Sequence, residues 1–393
     1  MKKVLEALFG TATLTLALCG GGCTDEPGSD GEEQAEEPGG EEVGEAAAPL
    51  TVHAYGWARI FDGAVQPYRS YNSTGGPITT HNNTVTQEVW FEGIPFNANV
   101  NVQVSGYGAL PCTLALPPGG VDNWEGQSWT TAHVRCFWPS GSPPSIGPAS
   151  RATVFIESHS GSGSAPRRGA FLTTEGGTTP VVQNSWNSSG ATNTVTWNAW
   201  QQRFEVSLPG LNFENAAVHV TGIGLQTSEC KVLSWSYGTV LVRCFDVARN
   251  PISSSGFSLT YQEGSLSPGH VGGHAWAAYG AAPTSYSATV GAPTCSTPAA
   301  PTFAPDSIPG AAIVTFHEQA IWSGLQAGVP MVTSYGDNNL RSCTLENWWE
   351  AGTSTQVRVQ CWNLLPTPTP VAFQDMQFTV SLTSRYSPKA CVP

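Results

Sequence analysis

One pattern of small residues, aromatics and cysteines occurs three times in this chain of 393 residues. The three copies are centred on the cysteine pairs Cys112 with Cys136, Cys230 with Cys244, and Cys343 with Cys361. The first cysteines are 118 and 113 residues apart, and the second cysteines are 108 and 117 residues apart. A period of about 110 residues is the size of a small domain rather than of a solenoid repeat. The repetition therefore predicts three tandem copies of one fold.

Within each copy the residue pattern predicts β-strands. Runs such as Val100 to Val104 alternate with period two, and Gly, Pro, Asn and Ser interrupt them roughly every 8–12 residues. The chain contains 43 Gly and 30 Pro, which disfavour long helices. We therefore expect an all-β protein with three tandem β-sandwich or small β-barrel domains, and the sequence leaves that choice open. The expected domains are 50–160, 168–264 and 273–393.

Residues 1–23 predict an export signal. A basic start precedes an apolar run from Val4 to Leu18, which is too short for a membrane span. The cysteines that follow are similar to the lipidation site of bacterial lipoproteins, with Cys23 preferred because a small residue precedes it, and Cys19 as the alternative. Signal cleavage without a lipid also stays open. We therefore expect an exported bacterial protein, anchored to the membrane through an N-terminal lipid or secreted.

An acidic segment, 24–49, follows the signal. Its first 22 residues contain ten Asp and Glu and no Lys or Arg, so they cannot bury enough apolar surface to fold. We expect a disordered linker that acts as a spacer. Most of the net charge of −13 lies in this linker, and the three copies carry about −4. The folded part therefore offers no basic face for nucleic acid.

The cysteine arrangement predicts disulfides in an oxidising compartment. Each copy holds its own even pair, so we expect bonds within copies rather than between them. Cys295 and Cys391 remain in the third copy and are expected to pair with each other. The copies share neither Cys-x-x-Cys spacing nor a histidine beside the cysteines, so we expect no metal site and no cofactor.

No catalytic constellation is common to the copies, and the chain lacks a Gly-x-Ser-x-Gly elbow, a His-Glu-x-x-His helix and a phosphate loop. A hydrolase is the remote alternative, and it would require a cleft that groups carboxylates of the third copy, Asp337, Glu346 or Glu350, around His317. Arg135 and Arg243 are in register, but Gln360 replaces them in the third copy. This favours a structural role for the arginines.

The composition predicts a neutral polar surface with aromatic rings. Only 11% of residues are charged, and the chain contains 14 Trp. Such a surface suits glycan binding, since rings stack on sugar faces while amides and hydroxyls bond the edges. The candidate ligand-binding aromatics come from the Trp residues that do not repeat: Trp57, Trp129, Trp138 and Trp349. Packing at domain ends and interfaces is the alternative role for these rings.

Three segments carry a resemblance to a known repeat. They are Tyr71 to Gly76 in the first copy, and Cys230 to Trp235 and Val240 to Phe245 in the second. They resemble a cysteine-paired β repeat of secreted bacterial proteins of unknown function. The resemblance covers residues 50 to about 385 and implies the β architecture and export, but no activity and no site residues. The third copy lacks the Asn-Ser-Thr-Gly-Gly segment.

These observations predict a non-enzymatic cell-surface or secreted protein for binding or adhesion. The expected partners are polysaccharide, matrix or other cell-surface components, and the membrane through the N-terminal lipid. The alternative is a structural envelope or matrix spacer without a specific ligand, and the remote alternative is a hydrolase with its site in the third copy.

Overall fold

The computed structural model describes residues 53–82, 86–95, 99–108, 110–115, 121–122, 129–137, 151–159, 169–211, 216–224, 227–246, 248–263, 271–278, 281–286, 300–317, 328–336, 341–364 and 368–384. These residues form 28 strands and, apart from short 3-10 turns, hold no helix, which confirms the predicted all-β class. The predicted signal and acidic linker lie outside the described residues, as do Cys19, Cys23, Cys295, Cys391 and Trp138.

Repeat 1 is a sandwich of two sheets. Its strands are β1 (His53–Phe61), β2 (Ala64–Val65), β3 (Tyr71–Asn72), β4 (Ile78–Asn82), β5 (Gln87–Glu92), β6 (Val100–Gly106), β7 (Cys112–Leu114), β8 (Val121–Asp122), β9 (Trp129–Cys136) and β10 (Ala152–His159). The inner sheet has the order β2-β1-β10-β6, with β3 beside β1, and the outer sheet has the order β4-β5-β9-β7, with β8 beside β9. Ile60, Phe91 and Val134 belong to the apolar core of this sandwich.

Repeat 2 has the same strand order. Its strands are β11 (Gly169–Glu175), β12 (Val181–Asn187), β13 (Thr194–Asn198), β14 (Arg203–Ser207), β15 (Ala216–Ile223), β16 (Thr227–Ser236), β17 (Thr239–Asp246), β18 (Pro251–Ile252) and β19 (Gly256–Glu263). The inner strands have the order β12-β11-β19-β15, and the outer sheet is β13-β14-β17-β16 with β18 beside β17. Because β15 pairs in parallel with β7 at Ile223 and Leu114, the inner strands of repeat 2 and the outer strands of repeat 1 form one nine-stranded sheet. Leu172, Phe204 and Val242 belong to its core.

Repeat 3 completes the series. Its strands are β20 (Val271–Ala278), β21 (Ala281–Tyr286), β22 (Thr302–Pro305), β23 (Ala311–Phe316), β24 (Val329–Ser334), β25 (Arg341–Ala351), β26 (Ser354–Asn363), β27 (Thr369–Pro370) and β28 (Gln377–Ser384). The inner sheet is β21-β20-β28-β24, and the outer sheet is β22-β23-β26-β25 with β27 beside β26. Because every repeat consists of two facing sheets around its own core, each one is a sandwich rather than a closed barrel.

A disulfide crosslinks the same two strands of the outer sheet in each repeat. The bonds are Cys112–Cys136, Cys230–Cys244 and Cys343–Cys361, which are the pairings that the sequence repeat predicts. In each bond the two cysteines lie directly opposite each other on neighbouring antiparallel strands. Their Cα atoms are 4.0, 4.0 and 4.1 Å apart. The crosslinks therefore fix the register of each outer sheet.

The three repeats close into a ring within one compact unit, Ala48–Pro393. Just beyond the end of each inner strand β6, β15 and β24, a glycine N–H donates to a carbonyl on the outer sheet of another repeat. These hydrogen bonds join Gly108 to Leu345 at 2.6 Å, Gly224 to Leu114 at 2.9 Å, and Gly336 to Val232 at 2.9 Å. In that order, the three bonds run from repeat 1 to repeat 3, from repeat 2 to repeat 1, and from repeat 3 to repeat 2. The repeats are thus related by an approximate threefold axis.

Three buried hydroxyls follow the same symmetry. Each accepts a hydrogen bond from a valine N–H of another repeat: Ser105 from Val332 at 2.9 Å, Thr221 from Val104 at 2.9 Å, and Thr333 from Val220 at 3.3 Å. These hydroxyls occupy the polar positions of alternating strands, which strand periodicity alone would place in solvent. Packing of the repeats buries those polar faces.

The three contacts between repeats, which we call seams, differ in chemistry. Seam 1–2 is polar, and Asn101 Nδ2 donates there to Thr260 Oγ1 at 2.7 Å. Seam 2–3 holds the buried imidazole of His219, whose Nε2 is 2.7 Å from Ser381 Oγ. Seam 3–1 is an apolar cluster that includes Trp57. Each pair of neighbouring repeats is therefore held together by a chemically different seam.

The Asn-Ser-Thr-Gly segment of repeat 1 and the Asn-Ser-Ser-Gly segment of repeat 2 form the same turn. Asn72 Oδ1 accepts from the backbone N–H two residues later at 3.1 Å, and its Nδ2 donates to Glu92 O at 2.7 Å. Asn187 makes the equivalent bonds at 2.9 Å and, to Pro209 O, at 3.1 Å. Since each asparagine ends an inner strand and each carbonyl belongs to the outer side, the segment ties the two sheets together.

Candidate functional site

Trp57, which the sequence analysis selects as a ligand-binding aromatic, is completely buried. It lies on β1 in seam 3–1, packed in one cluster with Phe155 and Met331, and its ring centroid is 4.8 Å from that of Tyr71. This position on the inner sheet faces a neighbouring repeat rather than solvent. The prediction for Trp57 is therefore corrected, and its ring is a packing residue.

Trp129 lies on the solvent face of the outer sheet of repeat 1. It begins β9, and Trp90 on the adjacent strand β5 projects from the same face, since Trp90 pairs with Thr131, two residues after Trp129. Both indoles are partly exposed. Their ring centroids are 5.7 Å apart, and their planes are inclined at 53°. We call these two rings the aromatic platform.

Glu88 anchors the platform from within the sheet. Trp90 Nε1 donates to Glu88 Oε2 at 3.3 Å. His81 on β4 and His133 on β9 lie opposite Glu88, with their Nδ1 atoms 3.6 and 4.0 Å from its carboxylate oxygens. The Glu88 side chain is 8% exposed, whereas that of His81 is 64% exposed. One nearly buried carboxylate thus connects an indole and two imidazoles in a row across three strands.

The cluster suits a neutral ligand that is rich in hydroxyl groups. Indole faces offer flat apolar surface, and the exposed imidazole of His81 offers a hydrogen-bonding edge beside it. Glu92 lies on the same face as Glu88 but four residues further along β5, a backbone separation of about 13 Å. Paired glycosidase carboxylates lie about 5–10 Å apart. The backbones of Glu88 and Glu92 are thus farther apart than the carboxyl groups of such a pair.

Trp349 lies on the solvent face of the outer sheet of repeat 3, and its neighbour Trp348 points into the core. The ring of Trp349 is 5.2 Å from the guanidinium of Arg358, which pairs with Asp306. Burial acts to raise the pKa of Asp306, but hydrogen bonds from Arg358 and Ser307 outweigh it and hold that pKa below its usual value. Trp349 is thus half-buried against an ion pair, and it is separate from the aromatic platform in sequence and in sheet.

Two further tryptophans of interest, Trp90 and Trp200, also lie outside the repeated pattern but are not among the four candidates selected from the sequence. Trp90 alternates with Glu88 and Glu92, and a ring in phase with two carboxylates on a strand is a signal for a solvent-facing position. Trp200 lies at the tip of the β13–β14 hairpin and is 94% exposed. The signal for Trp200 is its place in a polar turn, between Asn198 and Gln201.

Within the described ranges, no three His, Cys, Asp or Glu side chains are placed to hold a metal ion. A search of the same residues found no helix with the length and apolar character of a membrane span. No family model matches the chain, and neither a curated protein nor a solved structure matches it. The likeness to a repeat of secreted bacterial proteins therefore stays a prediction from its motifs.

Proposed function

We propose that this chain is a non-enzymatic binding protein of the cell surface that holds a neutral polysaccharide on the outer sheet of repeat 1. The observation that carries the proposal is the aromatic platform, Trp90 and Trp129, with one of its indoles hydrogen-bonded to the nearly buried Glu88. Low charge in the folded repeats supports the proposal, because hydroxyl and amide groups on a protein surface can hydrogen-bond the hydroxyl groups of an uncharged ligand.

Export and membrane attachment belong to the same proposal. The disulfides suit an oxidising compartment, and the N-terminal sequence supplies a signal with Cys23, or alternatively Cys19, as the lipidated residue. Growth of a producing bacterium with labelled palmitate tests this assignment. Label that is lost in Cys23→Ala but kept in Cys19→Ala supports Cys23, the reverse supports Cys19, and an unlabelled wild-type chain contradicts lipid anchoring.

Binding is tested with the full chain on insoluble cellulose, chitin and bacterial cell wall, read by depletion and by Trp fluorescence. We expect saturable binding to one polymer and competition by its soluble oligosaccharide. Trp90→Ala and Trp129→Ala should each weaken binding about tenfold or more, which corresponds to about 1.4 kcal/mol. Tyr237→Asn is the matched control, since Tyr237 is an exposed aromatic in the turn between β16 and β17 of repeat 2, and it should bind like wild type.

Two outcomes of this experiment would count against the proposal at different levels. Unchanged affinity in both tryptophan variants would contradict the site, although polysaccharide binding itself would stand. No binding by the wild-type chain to any polymer of the panel would contradict the function.

The structural alternative, an envelope or matrix spacer without a ligand, rests on the seams. The buried ring of Trp57 and the hydrogen bonds that close the three repeats into a ring favour a rigid body. A panel without any binding would shift the weight to this alternative. Resistance of the folded chain to proteolysis would then support it.

A hydrolase with its site in repeat 3 stays the remote alternative. His317 Nε2 lies 3.0 Å from Thr302 Oγ1 at the edge of the outer sheet, whereas Glu346 lies beside Gly108 of repeat 1. Asp337 is outside the described residues. Release of reducing sugar from the bound polymer would revive this alternative.

A further inference from the structure

Trp200 is the most exposed large apolar side chain among the described residues, at 94%. It occupies the tip of the hairpin between β13 and β14, on the outer sheet of repeat 2. An indole in solvent gains none of the burial free energy that places large aromatic residues in cores. Packing within the chain therefore does not account for this residue.

The turn beneath Trp200 is held by side chains on both sides. Asn198 Oδ1 accepts from the N–H of Gln201 at 3.0 Å, and Asn198 Nδ2 donates to Gln201 Oε1 at 3.2 Å. From β17, Arg243 donates to the carbonyls of Gln202 at 3.1 Å and of Gln201 at 3.0 Å. A ring on a fixed turn loses little conformational entropy when it contacts a partner.

The support for this tip is part of the repeated scaffold, but the ring is not. Gln360 holds the place of Arg243 in repeat 3, and its Nε2 donates to Pro309 O in the equivalent hairpin at 3.4 Å. That hairpin runs from Asp306 to Gly310 and carries no aromatic residue. Repeat 2 therefore carries an indole on a hairpin turn that is supported in the same way in repeat 3, where no ring is present.

The residues that flank the ring in the turn are uncharged. Trp200 is flanked by Ala199, Gln201 and Gln202. Directly after the turn, on β14, Arg203 and Glu205 pair with each other at 3.1 Å. The guanidinium of Arg243 is hydrogen-bonded to the turn carbonyls. Amide groups beside an exposed indole supply donors and acceptors for hydroxyls, which favours an uncharged sugar over an anionic surface.

We propose that Trp200 is a second carbohydrate contact, so that one molecule holds a long glycan polymer at two points, on repeats 1 and 2. This inference rests on the proposed function of the aromatic platform. Both contacts belong to the single compact unit Ala48–Pro393. Two contacts on one body raise the apparent affinity for a polymer that reaches both, but they leave the affinity for a short oligosaccharide unchanged. The preferred ligand is therefore polymeric.

The test compares the full chain with Trp200→Ala on the insoluble polymer that the panel identifies and on its soluble tetrasaccharide. We expect Trp200→Ala to weaken polymer binding about 10- to 100-fold and to change tetrasaccharide binding less than about twofold. Trp129→Ala should weaken both. Arg243→Gln, which introduces the residue of repeat 3, should weaken polymer binding less than Trp200→Ala does. The melting temperature of Trp200→Ala should equal that of wild type, because the ring is exposed.

The possible failures are distinguishable. Equal polymer affinity for Trp200→Ala and wild type would overturn this inference and leave the aromatic platform in place. A parallel loss on the polymer and the tetrasaccharide would overturn it too, since Trp200 would then act on the first site. Binding to phosphatidylglycerol vesicles that disappears in Trp200→Ala would identify a membrane contact instead. A wild-type chain that binds no polymer would overturn the proposed function, and this inference with it.

Discussion

Among single residues, Glu88 has the clearest positioning role in the candidate site. Its carboxylate accepts from Trp90 Nε1 at 3.3 Å, so Glu88→Ala frees the indole to rotate. We expect a loss of polysaccharide affinity of about 3- to 10-fold, the entropic cost of fixing one large side chain on binding. Glu88→Gln keeps an oxygen acceptor and should stay within about threefold of wild type. Titration calorimetry measures both affinities.

The two variants separate positioning from direct contact. If Glu88→Gln loses as much affinity as Glu88→Ala, the charge itself contacts the ligand and the positioning role is contradicted. A thermal melt accompanies each titration, because Glu88 also lies between His81 and His133 and its removal disturbs that row.

The sequence identifies tryptophans as candidate ligand contacts, but it does not show which of them are exposed and which are buried. Trp129 and Trp57 are both tryptophans on alternating strands outside the repeated pattern, and sequence reasoning treats them alike. Trp129 is partly exposed because its sheet face meets solvent, whereas Trp57 is buried because its face meets another repeat. Strand periodicity assigns a side chain to a face, but it does not reveal what covers that face.

Among the structural elements, the outer sheets are held by disulfides that span short segments. Replacement of Cys230 and Cys244 by Ala opens a bond with a sequence separation of 14. On the chain-entropy account we expect the free energy of unfolding to fall by about 3 kcal/mol. Urea denaturation of wild type and the double variant, both without reductant, measures the difference. The corresponding variant of Cys343 and Cys361 should shift in the same direction, and an unchanged urea midpoint in either would contradict the structural role.

The hairpins show which side-chain roles can be predicted from equivalent positions in the repeats. The in-register Arg135 and Arg243, with Gln360 in the third repeat, predict a structural side chain from sequence. In the structure, Arg243 and Gln360 each donate to carbonyls at the tip of the neighbouring hairpin. The structural role of these side chains could be expected, because it involves only a strand and the hairpin next to it. The carbonyls that the side chains reach could not be expected, since turn geometry decides them.

For the whole molecule, seam 2–3 makes stability depend on pH. His219 is fully buried there, and burial, with a smaller contribution from His274, lowers the pKa of His219 from 6.5 to about 3. The unfolded chain takes up this proton below about pH 6.5, but the folded chain does so only near pH 3. The free energy of unfolding should therefore fall as pH drops through that window, by about 2–3 kcal/mol between pH 7.5 and 4.5.

Replacement of His219 isolates this contribution from the titrating carboxylates. His219→Gln introduces the residue that repeat 1 carries at the equivalent position, Gln103, and removes the titration. Urea denaturation at pH 7.5 and 4.5 should show a weaker pH dependence for the variant by about the same 2–3 kcal/mol. Equal pH dependence in the two proteins would contradict the assignment of the effect to His219.

By itself the sequence determined the all-β class and the three disulfides, and its recurring pattern predicts the three copies. Each of these depends on neighbours in the chain or on positions that recur in register, and such relations are visible in a string of residues. Tertiary structure decided which polar faces are buried and which tryptophans reach solvent. The hydroxyls of Ser105, Thr221 and Thr333 look like solvent-facing positions of ordinary strands, yet they accept hydrogen bonds between repeats. The difference arises because burial of a strand face depends on which repeat packs against it, and that contact joins residues more than 100 positions apart.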